Sequence, residues 1–157
     1  MHQFDFEIDD SFFELFENSE IKSGRLGVQL ELEKNEKLMH LHFTFSGLVT
    51  VMCDRCLDDF EMPVNSSAQI IIKQGKYRHE ETEEIDIIPE SATEINVAQY
   101  IYEFISLSLP VKKVHPENKK GEALCNKTIL KKLKEHESKK NNDIDPRWDQ
   151  LKNLTFN

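Results

Sequence analysis

Glycine is scarce in this chain, five residues in 157, and tryptophan occurs once. So few glycines leave no Gly-rich loop to cradle a phosphate. Neither a Gly-x-Ser-x-Gly elbow nor a His-Glu-x-x-His motif is present. Cysteine is equally sparse: three residues, an odd number, build no disulfide scaffold and suit a reducing compartment. No apolar run approaches the ~20 residues of a membrane-spanning helix. Residues 1–10 are acidic, not basic and then apolar, so a cytoplasmic chain without a secretory leader is expected. Positive charge is also in deficit. Twenty Lys+Arg stand against 29 Asp+Glu, a net charge of -9 that opposes a generic nucleic-acid coat.

What is present is unevenly placed. Residues 1–109 hold 8 basic and 22 acidic side chains, a net -14, whereas residues 110–142 hold 10 Lys and 4 Glu, a net +6. The basic block comprises Lys112, Lys113, Lys119, Lys120, Lys127, Lys131, Lys132, Lys134, Lys139 and Lys140. A basic block on an acidic body suits local contact with a polyanion or an acidic partner; a solvated lysine-rich helix is the plainer reading.

The length fits one domain, with a segment 1–20, a sheet over 21–95, a helical region over 96–140 and a tail over 141–157. In the first segment Phe12, Phe13 and Phe16 fall at helical spacing after Asp10-Ser11. Leu26, Val28, Leu30 and Leu32 alternate with polar residues, as do Met39, Leu41, Phe43 and Phe45, which predicts two paired strands. Gly47 is expected to bend or bulge the second, and Val49 and Val51 keep its phase to Cys53. The chain returns through Phe60, Met62, Val64, Ala68, Ile70 and Ile72, and Ile85–Ile88 adds a short strand before Pro89. Tyr77–Glu84 reads as a loop. Asn96 is expected to cap a helix from Val97 to about Leu109, ended by Pro110, and Asn126 to cap another. The expected class is α+β: an antiparallel meander of about five or six strands with two or three helices, mostly C-terminal.

Cys53-Asp54-Arg55-Cys56 lies between two predicted antiparallel strands, where a tight hairpin aims two thiolates at one Zn2+. Thiol oxidoreductases use the same spacing, but at the start of a helix in a βαβ unit, a context missing here. Cys-x-x-Cys is half a zinc site. Cys125 and His115 are the best candidates to complete it, ahead of His136 and His79; plain structural thiols at a strand turn remain the alternative. His40 and His42 lie on the polar face of their strand and read as solvated. The acid pairs Glu80-Glu81 and Glu83-Glu84 have no pocket to shift their pKa, so no enzyme is expected.

Three features fall in one order: a strand into Cys53-x-Arg55-Cys56-Leu57, then Ile85-Asp86-Ile87 before a helix with Glu103 ending in Leu107-x-Leu109-Pro110, then Asp145-Pro146-Arg147-Trp148-Asp149-x-Leu151. Over roughly residues 20–154 the chain resembles the YceD family, the large ribosomal RNA subunit accumulation proteins. The resemblance implies a non-catalytic factor in accumulation or processing of large-subunit ribosomal RNA. Its partners would be the RNA precursor or a large-subunit ribosomal protein, with neither a membrane nor a small-molecule substrate. Family members commonly carry four cysteines after the Leu-Pro element. Here His115 stands where the first is expected and only Cys125 lies beyond it, so the chain resembles a cysteine-poor branch. No cofactor is therefore expected; zinc on Cys53, Cys56, His115 and Cys125, or redox chemistry at Cys53 and Cys56, is the alternative. For RNA or partner contact the candidates are Arg55, the lysines from Lys112 to Lys134, and Arg147. Arginine forks match phosphate and carboxylate alike, and Arg147 can equally pin the tail by pairing with an Asp.

Overall fold

The computed structural model describes residues 1–36, 38–75, 85–118, 121 and 123–136. The loop expected over 77–84, His79, Lys119, Lys120, the lysines at 139 and 140, and the tail with Arg147 lie outside the described residues. The chain divides into two compact units, Met1–Cys125 and Asn126–Asn157.

The first unit is built on a sheet of five strands among the described residues, in the spatial order β1 (His2–Ile8), β2 (Ile21–Lys34), β3 (Leu38–Met52), β4 (Asp59–Gln74) and β5 (Ile85–Ile88). The class is α+β, as expected. In the long strands alternation of side chains does what the sequence pattern predicts. Leu26, Val28 and Leu30 of β2 and Met39, Leu41, Phe43, Phe45, Val49 and Val51 of β3 are all buried on one face. His40, His42, Thr44 and Ser46 are exposed on the other. Helix α1 (Asp10–Phe13) is capped by Asp9, whose carboxylate accepts from the Ser11 N–H at 3.0 Å and from its hydroxyl at 2.6 Å, holding that carboxyl below its ordinary pKa. Helix α2 (Ala98–Ser108) lays Ile101 and Ile105 on the core, with Phe104 against Phe43 and Phe45. Asn96 accepts from the Ala98 N–H at 3.0 Å, so the expected capping residue acts one position early.

Three details differ from expectation. The first segment contributes β1, whose Phe4, Phe6 and Ile8 pair with Leu30, Val28 and Leu26. The sheet is mixed, because β5 runs parallel to β4, from Ile71↔Ile85 to Gln74↔Ile88. Gly47 makes no bulge: β3 runs straight through it, and the register shift falls in β2 between Ile21 and Ser23. The glycine is required for a different reason. A Cβ there would lie 2.2 Å from the Arg25 carbonyl oxygen and 2.6 Å from the Leu26 Cα.

In the second unit α3 (Lys127–His136) starts from Asn126, whose side chain accepts from the Thr128 N–H at 3.0 Å. Lys127, Lys131 and Lys134 fall at i, i+4 and i+7 and share a face of this helix.

Candidate metal centre

Between β3 and β4 the chain reverses in six residues, Cys53 to Asp58. The Cys53 N–H donates to the Asp58 carbonyl at 2.9 Å, and the Leu57 N–H to the Cys53 carbonyl at 2.9 Å. Leu57 takes a left-handed φ of 62°, an unusual conformation for a leucine, and so closes the turn behind both cysteines. The phase of β3 carries Cys53 inward, as the alternation up to Val51 predicts.

The segment after α2 meets this knuckle from the other side. Asp54 holds it by two hydrogen bonds: its N–H donates to the Lys113 carbonyl at 2.7 Å, and its carboxylate accepts from the Lys113 N–H at 2.6 Å. The Lys113 ammonium pairs with Glu20 at 3.1 Å. The His115 ring then packs at a tilt of 31° against Phe60, at the start of β4, with centroids 4.6 Å apart. A second tight turn brings Cys125 back. The Leu124 N–H donates to the Pro116 carbonyl at 3.1 Å, Glu117 bridges to Ala123, and Gly121 supplies a φ of 75°.

These two turns place Cys53 Sγ, Cys56 Sγ, Cys125 Sγ and a His115 ring nitrogen within 4.8 Å of one another. Cys53 Sγ lies 3.9 Å from Cys125 Sγ, and Cys56 Sγ lies 3.4 Å from His115 Nδ1. All three thiols are free and buried. Tetrahedral Zn2+ with Zn–S near 2.3 Å and Zn–N near 2.0 Å needs sulfurs about 3.8 Å apart and sulfur–nitrogen about 3.5 Å apart. The donor set and its spacing therefore fit zinc, with all four positions taken by protein.

The electrostatics fit as well. Burial alone would push the Cys53 thiol up. The N–H groups of Cys56, Arg55 and His115, and then the His115 ring, point at its sulfur and hold it down at about 6, from 9.0. Cys125 goes the other way: burial raises it, and the neighbouring sulfurs of Cys53 and Cys56 raise it further. Without a cation the pocket sustains one thiolate readily and resists the next; a divalent metal removes that conflict.

Of the residues singled out in the sequence, the structure brings together Cys53, Cys56, His115 and Cys125. Arg55 is exposed at the tip of the knuckle; Lys112 is exposed too, whereas the next residue, Lys113, has a side chain 14% exposed and ion-paired. Lys127, Lys131, Lys132 and Lys134 lie on α3, in the second unit. His40 and His42 sit on the open face of the sheet opposite Glu33 and Glu31. Two contributors were missed. Asp54 pins the incoming segment, and its position inside a four-residue turn, where Asp commonly accepts backbone N–H groups, was the available signal. Phe60 orients His115, and no local pattern announces that.

Residues 41–155 match the family described as Large ribosomal RNA subunit accumulation protein YceD. No curated protein and no solved structure matches the chain.

Proposed function

The chain belongs to the YceD family, and from that premise we propose that it is a non-catalytic factor supporting accumulation of large-subunit ribosomal RNA in the cytoplasm. The family match over residues 41–155 carries this reading. Zinc held by Cys53, Cys56, His115 and Cys125 serves it structurally. Four protein ligands leave no open coordination position for water or substrate, and the metal ties the end of β3 to the segment after α2. The cluster favours a structural role over a redox one, because a third buried thiol, Cys125, and the His115 ring close on the Cys-x-x-Cys pair and complete a four-donor set.

Contact with the RNA precursor is made by exposed cations: Arg55, Lys112, and Lys127, Lys131, Lys132 and Lys134 of α3, with Lys119, Lys120 and Arg147 in the same role. The acidic remainder, net -14 over residues 1–109, keeps binding local and suits a basic ribosomal protein as a second partner. The test is sedimentation of cell extracts from wild type, a deletion strain and a strain whose α3 lysines are glutamine. Wild-type protein co-sediments with large-subunit precursors, and large-subunit RNA falls in the deletion strain. Normal RNA in that strain, with the protein absent from precursor fractions, removes the proposal.

A further inference from the structure

β1 is the outermost strand of the sheet, and among the described residues it pairs with β2 alone. An open edge offers its backbone N–H and C=O groups to another strand, and proteins commonly block such edges with proline, lysine or a bulge. The free edge of β4, before its pairing with β5 begins at Ile71, carries Pro63. β1 has none of these three devices, and its only acidic or basic side chains besides His2 are the carboxylates Asp5 and Glu7. Its seven residues include neither proline nor lysine, and its register with β2 runs without a shift.

The two faces of β1 differ in chemistry. Phe4 and Phe6 lie on the core side, where Phe4 remains 44% exposed. With Leu32, Met39, Ile95 and Val97 they line a largely apolar groove of about 320 Å3, in which Lys34 and Thr93 are the polar members. Asp5 and Glu7 lie on the open side, both exposed. Paired residues in a ladder share a face. A strand added beside β1 would therefore set every second side chain next to Phe4 and Phe6 along the groove, and the alternate ones next to Asp5 and Glu7.

We propose that the β1 edge is the docking site for an extended segment of a partner protein in which apolar and basic residues alternate. Backbone hydrogen bonds supply affinity, and the groove and the two carboxylates supply selectivity. A second copy of this chain fits poorly. Two β1 strands paired antiparallel about Asp5 would place Asp5 against Asp5, a destabilising like-charge pair. The inference rests on neither the metal centre nor RNA contact.

The test titrates the isotope-labelled full-length protein with a soluble peptide of alternating Lys and Val, and with a Glu-Val control, following amide shifts and hydrogen exchange. The Lys-Val peptide is expected to shift and protect the β1 amides. The double variant Asp5→Lys/Glu7→Lys, altered only at exposed side chains, is expected to weaken binding about tenfold or more. Phe4→Ala is expected to weaken it through the groove, while Glu61→Lys on β4 has no effect. Equal binding of the Glu-Val peptide, equal binding by the double variant, protection confined to other strands, dimerisation through β1 without peptide, or no binding at millimolar peptide would each overturn the proposal.

Discussion

Cys53 and Cys125 touch through their sulfurs, yet their surroundings drive the two thiols in opposite directions. An unfolded cysteine holds its proton up to about pH 9.0, whereas folded Cys53 releases it above about 6. Between those values the unfolded state binds the extra proton, so Cys53 makes the metal-free protein more stable as pH rises. Cys125, raised above 9.0, opposes this only at more alkaline pH. The urea midpoint of chelator-treated protein should climb from pH 6.5 to 8.5, and Cys53→Ser should flatten that climb. An identical slope in the variant would assign the effect elsewhere. Zinc binding displaces protons from the same thiols, so zinc affinity should also fall as the solution is acidified. At Asp54 the expectation is narrower. Asp54→Ala removes the charged acceptor of the Lys113 N–H and frees the segment bearing His115. Zinc affinity should drop about tenfold, measured by competition with a chromophoric chelator, with far-UV circular dichroism unchanged.

At the scale of elements, β3 is the member on which the others depend. It pairs with β2 along one side and β4 along the other, and Gly47 is the place where its neighbour comes closest. Gly47→Ala would force the β2 backbone away at Arg25 and Leu26, costing about 3 kcal/mol in chemical denaturation. Phe43→Ala, at a ring with no exposed surface that packs on Phe104, should cost about 3–5 kcal/mol. The long strands were legible because Leu26 to Leu32 and Met39 to Val51 alternate without interruption, and burial enforces that period. β1 was legible in principle: Phe4, Phe6 and Ile8 alternate too, but acids between them and a phenylalanine-rich helix next door masked the period. The direction of β5 was not. Ile85–Ile88 has the same composition whether it runs parallel or antiparallel, and only its register on Ile71–Gln74 decides. The same limit applied at the metal centre. Cys53 and Cys56 announce themselves by spacing, and His115 and Cys125 were named from ligand type alone. Their convergence depends on contacts made by Asp54 and Phe60 with residues far along the chain, Lys113 and His115.

For the whole molecule, the net charge of -9 hides a division that matters more than its sum. Each α3 lysine that neutralises a phosphate adds about 0.7–0.9 to the slope of log affinity against log salt. Replacing Lys127, Lys131 and Lys134 by glutamine should lower that slope by about two, measured by filter binding to large-subunit RNA fragments at several salt concentrations. A slope unchanged by the triple replacement would move the phosphate contacts off this helix. The metal centre also orders events in time. β1 to β4 pair as successive neighbours, so most of the sheet can form as soon as residue 74 is available. Cys53 and Cys56 must then wait for Cys125, a loop of more than seventy residues whose closure is slow and entropically costly. On a translating ribosome the half-built knuckle is thus a waiting state, and arrival of Cys125 completes the four-residue cluster of the first unit.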